Sequence, residues 1–449
     1  MTKPTNPAAN RRMDRHLPAL SLLAIALLVD AFKPAAATAS LQCAEGRPCP
    51  SPPMSIWAPY PFYNGNVDYA VGVAYAASGV LQPQFGFVAN AFVSSNNTVA
   101  AFLLARDYQL WEDSRFFADF SIFGGEFGRV QTFQDGNPDF VGETAGSNDS
   151  SEDNYLEAEG NDLFVRLPIR YLLPIGAGRD EVIHTYRTQG GLLLRETGTG
   201  GERWNPFAGG RTMLEFTPFY RDQDLDLDIG GERTLTTSGV TARIDYDNTD
   251  WWNNPSDGSR TQFAVTHDWS GEEKGNTQWT QMEAQYSKFW SLGASNRAQA
   301  RVIAFDVWAS DVPSWNDFDT VDGQPLYHRP PVFMGSALGG LFRQRGFATT
   351  RFSDRSAINY AVEYRYTTGR SLLARFRFLD HFGVDFTQLV GFVEMGRVAP
   401  EFDLGELHED MKFTYGVGIR ASAQGLIVRA DFGFSEEGGQ IQMFVSQPF

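Results

Sequence analysis

From about residue 67 to the C-terminus, apolar and polar residues alternate with a period of two, in stretches of roughly 8–12 residues separated by turn residues. Val240, Ala242, Ile244 and Tyr246 alternate with Thr241, Arg243, Asp245 and Asp247. Ile358, Tyr360, Val362, Tyr364 and Tyr366 alternate with Asn359, Glu363 and Arg365. Phe413, Tyr415, Val417 and Ile419 alternate with Thr414, Gly416, Gly418 and Arg420, and Val428, Ala430 and Phe432 with Arg429 and Asp431. Period two places each set on one face of a strand. The second face decides the class: it is charged and glycine-rich in almost every stretch, which matches a polar lumen inside an apolar wall. No helical stretch of domain size appears. The fold expected is all-β, a transmembrane antiparallel β-barrel of about 16 strands, an even number as bacterial single-chain barrels require. The expected spans are 67–79, 83–94, 97–109, 114–127, 162–174, 183–197, 211–223, 233–247, 259–270, 276–291, 296–308, 355–368, 385–398, 411–422, 425–435 and 440–449. The long loops are 128–161 and 309–354, the latter expected to fold into the lumen.

Composition agrees without deciding. Of 449 residues, 42% are hydrophobic and 14% aromatic, and beyond the N-terminus no run of 18 apolar residues offers a membrane helix. Only every second residue of a barrel strand meets lipid, so a low mean hydropathy is compatible with a membrane wall. Trp251, Trp252, Trp269, Trp279, Trp290 and Trp308 fall near expected strand ends and read as interfacial anchors. A net charge of -17 disfavours nucleic acid as a partner, because phosphate contacts need a basic surface.

The first segment is a targeting sequence. Arg11, Arg12 and Arg15 precede the apolar run Leu17 to Leu28, and Ala37-Thr38-Ala39 offers a small-residue cleavage site. The expected organisation is a cleaved signal peptide at 1–39, a Pro-rich periplasmic lead at 40–66, and an outer-membrane barrel at 67–449. Cys43 and Cys49, the only cysteines, fall in the lead, where a short disulfide is plausible in an oxidising compartment.

Chemistry-bearing motifs are missing. There is no G-x-S-x-G elbow, no phosphate-binding glycine loop and no H-E-x-x-H helix, and the six histidines are scattered. No catalytic residue, metal ligand or cofactor is expected, and the chain is not read as an enzyme.

Four pieces carry a resemblance. They are Gln344-Arg345-Gly346-Phe347 in the long loop, Val362-Glu363-Tyr364-Arg365-Tyr366 in the strand after it, Phe392-Val393-Glu394-Met395-Gly396, and Asp245-Tyr246-Asp247-Asn248-Thr249-Asp250 with Pro255 and Gly258. Together they resemble the BamA/TamA outer-membrane assembly-factor family, also called the bacterial surface antigen family. The last piece departs from the family pattern at its arginine. The resemblance covers roughly residues 60–449 and implies that Arg345, at the R-G-F/Y motif, is pinned inside the barrel. Glu363 and Glu394 are the expected lumen carboxylate partners, since a guanidinium can grip carboxylates bidentately. Gly346 would permit close backbone approach or a positive φ. Phe449, closing the last strand, resembles an insertion signal. No POTRA-sized module fits before the first strand, so the chain looks like the stand-alone barrel branch of the family. The function implied is assistance to protein insertion or translocation, or lipid handling. The partners implied are outer-membrane lipid and unfolded outer-membrane proteins or the barrel assembly machinery. The alternative expectation is a passive pore or structural surface-antigen barrel, whose acidic vestibule would favour cations.

Overall fold

The computed structural model describes residues 39–64, 67–133, 136–270, 277–321, 323–368, 384–423 and 426–449. Apart from Ala39, the expected signal peptide lies outside the described residues. In chain order the strands are β1 (Ser40–Ala44), β2 (Met54–Asn64), β3 (Asp68–Ser78), β4 (Gly86–Ser94), β5 (Val99–Gln109), β6 (Phe116–Thr132), β7 (Leu156–Arg166) and β8 (Ile169–Leu172). They continue with β9 (His184–Gln189), β10 (Leu192–Leu193), β11 (Arg211–Leu227), β12 (Glu232–Asp247), β13 (Gly258–Asp268), β14 (Trp279–Ser291) and β15 (Ala298–Asp311). The remainder are β16 (Phe318–Val321), β17 (Gln324–Tyr327), β18 (Ser336–Leu338), β19 (Phe352–Asp354), β20 (Ser356–Thr368), β21 (Val384–Ala399), β22 (Lys412–Ala423), β23 (Leu426–Ser435) and β24 (Gly438–Val445).

The wall is a closed antiparallel barrel. Antiparallel registers run from β2 through β3, β4, β5 and β6 to β7, continue from β11 to β15, pass to β20, and end at β24. β7 and β8 act as one stave interrupted at Leu167-Pro168, both pairing with β6 and β11. The count of sixteen staves therefore agrees with the expectation, but two memberships change. Segment 183–197 is not in the wall: its β9 sits between β1 and β10 in a separate three-stranded sheet. Its place in the count is taken by Met54–Asn64, inside the segment expected to be an extended lead. The prolines hide this strand in the sequence. Proline has no N–H to donate and is confined in sheets to edges. Pro59 and Pro61 are tolerated here because, among the described residues, β2 has a register with β3 alone. β24 likewise has a register with β23 alone. The seam where first and last staves meet is thus the one wall junction without a backbone register among the described residues.

The two faces separate as the alternation requires. Phe413, Tyr415, Val417 and Ile419 are exposed on the outside, while Thr414 and Arg420 are fully buried inside. A closed sheet with an apolar exterior and a charged interior satisfies its backbone polar groups internally, which is what crossing a bilayer demands. The protein is a transmembrane β-barrel of the outer-membrane type. The tryptophans split differently from expectation. Trp269 and Trp290 are exposed, but Trp251, Trp279 and Trp308 are buried. The exposed indoles at strand ends include Trp57 and Trp111, in β2 and after β5.

Both β2 and β24 reach the same end of the barrel through their chain termini, so the turns alternate between a terminal end and a loop end. The terminal end is less spare than expected. There the connection 173–210 carries β9 and β10, and β1 pairs parallel to β9. Buried Arg211 ties this cap to the wall, its guanidinium donating to the Val182 carbonyl at 2.6 Å and the Glu181 carbonyl at 3.2 Å. Cys43 and Cys49 form a disulfide beside it. The lead is therefore docked structure from Ser40 onward rather than a free tether.

Candidate functional site

Loop 312–355 enters the barrel from the loop end. Its hairpin of β18 and β19 brackets the motif Gln344-Arg345-Gly346-Phe347, and all four residues are buried. Arg345 has no exposed surface and lies among three carboxylates. Its Nη1 is 2.9 Å from Glu363 Oε1 and 2.7 Å from Asp431 Oδ2, and its Nε is 2.9 Å from Glu394 Oε1. The Arg345 backbone N–H donates to the other Glu394 oxygen at 2.6 Å. The ring of Phe392 lies 3.6 Å from the guanidinium carbon, adding a cation–π contact. Glu363 and Glu394, the two carboxylates expected to face Arg345, both lie within hydrogen-bond distance of its guanidinium. They come from β20 and β21, at positions whose side chains share the inward phase.

Four residues not singled out from the sequence complete the cluster. Asp431 joins from β23, together with Arg365, Arg420 and Arg429 from β20, β22 and β23. Glu363 accepts from Arg365 Nε at 2.8 Å and from Arg420 Nη2 at 2.6 Å. Arg429 pairs with Asp431 and also donates to the Leu341 carbonyl at 2.7 Å. A signal was present, since these residues occupy the same polar phase as Glu363 and Glu394. What the sequence lacked was the strand register that stacks them on one patch. Burying so many charges is costly, and mutual hydrogen bonding offsets that cost only if geometry is good. Here each carboxylate has at least one charge-assisted partner at hydrogen-bond distance, so the cluster is a pinning device rather than a set of screened surface pairs.

Backbone packing completes the pin. A Cβ on Gly346 would lie 2.8 Å from the carbonyl carbon and oxygen of Phe434, and one on Gly433 would lie 2.6 Å from the Arg345 carbonyl oxygen. Loop and wall backbones meet there without room for a methyl group. Of the two uses expected for Gly346, close approach is the one realised; the positive φ falls on Gln344, at 52°. The Gln344 amide bridges β20 and β22 above β21, donating to Asn359 at 3.1 Å and accepting from Thr414 at 3.0 Å. Phe347 packs with Trp308, Leu338, Phe352, Ala357 and Val398 in an apolar cluster. At the rim, Arg351 contacts Glu437 at 2.8 Å and Ser150 Oγ at 2.9 Å. Burial pushes the Glu437 carboxyl up, although the Arg351 guanidinium beside it pulls it back. The Ser353 N–H donates to the Gly146 carbonyl at 2.7 Å, so loop 312–355 is tied to the connection 133–155 as well as to the wall.

Phe449 departs from its expected place. β24 stops at Val445, Ser446 adopts φ 114°, and the chain turns into the lumen. The Phe449 ring stacks 6.3 Å from that of Phe289, and the Gln447 amide donates to Asn254 at 3.1 Å. Pro448 is one reason the ladder ends early, because it has no N–H for a neighbouring strand. Ile441, Met443 and Val445 keep the strand phase, but Phe449 does not share their face.

The fourth motif forms the β12–β13 turn, 248–257. Asp250 accepts from the backbone N–H groups of Trp251, Ser256 and Asp257 at 2.9, 2.8 and 3.2 Å. Burial pushes this carboxyl up, and the hydrogen bonds from Ser256 work against that shift. Asp250→Ala leaves three amide donors without their acceptor and is expected to cost about 1–3 kcal/mol. A urea or guanidinium unfolding series on the refolded barrel measures this, and an unchanged midpoint would overturn it. Among the described residues, no group of three or more His, Cys, Asp and Glu is placed to hold a metal ion.

No protein-family model matches the sequence, and no curated protein matches it. Solved structures do show likeness. The chain is similar to BamA from Haemophilus ducreyi lacking POTRA domains 1-3, with a TM-score of 0.46 and 9% identity over 88% of this chain and 70% of that one. It is similar to CdiB from Escherichia coli, with a TM-score of 0.49 and 11% identity over 88% of this chain. CdiB from Acinetobacter baumannii gives a TM-score of 0.46 and 10% identity over 86% of this chain. The chain spans 61% and 57% of the length of these two CdiB proteins.

Proposed function

We propose that this protein is an outer-membrane barrel of the assembly-factor kind, working on the membrane through the seam between β2 and β24 to help other proteins insert or cross. The observation that carries the reading is the combination of a pinned internal loop with an unregistered seam. The loop fills the lumen over the Arg345 cluster, which speaks against a wide passive pore. At the seam, β2 and β24 each have a register on one side only among the described residues. A wall junction held by few backbone hydrogen bonds is the place where a client strand could add or the wall could open toward lipid. Outer-membrane lipid and unfolded outer-membrane proteins are the partners this reading names. The Phe449 role as an insertion signal belongs to the same proposal, with the lumenal position as the folded end state.

The test is a seam cross-link. Paired cysteines on β2 and β24, in a Cys43→Ser/Cys49→Ser background, are oxidised after refolding into liposomes. The reduced barrel is expected to speed folding of a urea-denatured outer-membrane barrel into those liposomes, and oxidation to abolish the gain. Equal client folding with and without the cross-link, or no gain over empty liposomes, would sink the proposal.

A further inference from the structure

A second compartment lies in the lumen beside the Arg345 cluster, where Arg420 donates to Gln447 and the Arg365 guanidinium lies 5.2 Å from the centre of the Phe449 ring. It is a cavity of about 220 Å³, roofed by loop residues around Phe333 and Arg343 and floored by Trp252 and the C-terminal Phe449. That is below the roughly 300–1,000 Å³ usual for ligand clefts, so an occupant must be small.

The lining has a sign opposite to that of the whole chain. Arg166, Arg243, Arg260 and Arg343 face it, against the two carboxylates Glu283 and Asp306, in a protein of net charge -17. The carboxylates already accept from their own wall: Glu283 from the Trp308 indole N–H at 3.0 Å, and Asp306 from Gln285 at 2.9 Å and Ser287 at 2.6 Å. Two of the arginines are held from behind. Arg243 donates through Nη1 to Glu215 at 3.1 Å, and Arg260 through Nη2 to Asp245 at 3.3 Å. Neither Glu215 nor Asp245 lines the cavity. Each of these guanidiniums therefore spends one edge on orientation and keeps further N–H donors for whatever enters. Aromatic faces from Phe164, Phe219 and Phe333 complete the enclosure.

From this geometry we propose that the lumen cavity is a binding site for a small, flat organic carboxylate. Arg243 and Arg260 grip the carboxylate, and the aromatic walls receive the apolar body. A planar guanidinium fork fits a carboxylate with fixed geometry, and a confined lumen screens that interaction less than open water does. The site does not depend on the seam or on client handling, so it stands or falls separately from the assembly-factor reading.

The probe is 4-fluorobenzoate, followed by fluorine NMR on the full refolded chain in detergent. Saturable line broadening in the millimolar range is expected. Arg243→Gln and Arg260→Gln are each expected to weaken binding by about tenfold or more, the scale of one charge-assisted hydrogen bond. Because each substitution strands a buried carboxylate, the paired variant Arg243→Gln/Glu215→Gln removes the cation with its partner and keeps the wall neutral. It should bind as weakly as Arg243→Gln while keeping the wild-type heat-modifiable gel shift. The proposal is overturned by an absence of saturation, by unchanged affinity in the paired variant, or by equal binding of 4-fluorobenzylamine. Competition by inorganic phosphate as strong as by benzoate would also overturn it, since the cavity would then read charge alone.

Discussion

Arg345→Ala is expected to destabilise the folded barrel by about 3–5 kcal/mol, the usual cost of removing one partner from a buried ion pair. Glu394 decides the size of the effect. Glu363 retains Arg365 and Arg420, and Asp431 retains Arg429. Glu394 has Arg345 as its only ion-pair partner among the described residues, and it is 1% exposed. The alanine variant therefore leaves a buried carboxylate without its cation, with a void where the guanidinium lay against Phe392. Lysine should rescue little, because a single ammonium cannot reproduce the forked contact with three carboxylates. Glu394→Gln in the Arg345→Ala background should recover part of the loss by removing the stranded charge. The heat-modifiable gel shift and protease resistance of loop 312–355 measure these outcomes. An Arg345→Ala barrel with the wild-type shift and an equally resistant loop would refute the pinning role.

Deleting the inward part of that loop should act differently. With residues 331–353 replaced by a short glycine-serine bridge, the lumen fills with water, and Glu394 is solvated rather than stranded. The wall keeps Glu363, Glu394 and Asp431 facing Arg365, Arg420 and Arg429, three charges of each sign. The barrel should therefore fold, and its conductance in a planar bilayer should rise from small and flickering to large and steady, as expected for an open sixteen-stranded barrel. A deletion variant with the intact chain's conductance would mean that another element occludes the lumen. The terminal-end floor of Trp252 and Phe449 would then be the first place to look.

Much of this molecule was legible in its period-two pattern. The inward and outward phases of β12, β20, β22 and β23 follow from alternation alone, because a strand between lipid and a charged lumen has no other stable pattern. The motif Gln344-Arg345-Gly346-Phe347 and its partners Glu363 and Glu394 were legible through resemblance joined to that phase. Three things were not. Met54–Asn64 hid behind its prolines, which a stave tolerates where the missing N–H would face no ladder partner. His184–Gln189 alternates like a wall strand, and only tertiary pairing with β1 reveals otherwise. Asp431, Arg365, Arg420 and Arg429 each looked like an ordinary lumen residue. Their convergence depends on register, which sequence periodicity does not fix between distant strands.

The contacts of Arg351 and Ser353 with Ser150 and Gly146 have a consequence for how the loop end is recognised by a binder. Two segments some 200 residues apart in sequence are joined there. Their shared rim forms a single composite face only in the folded barrel. A binder selected on this end of the folded barrel is expected to read a discontinuous epitope drawn from both segments. Synthetic peptides copied from either one alone would not reproduce it. Sequence drift in one segment would in turn be constrained by the other.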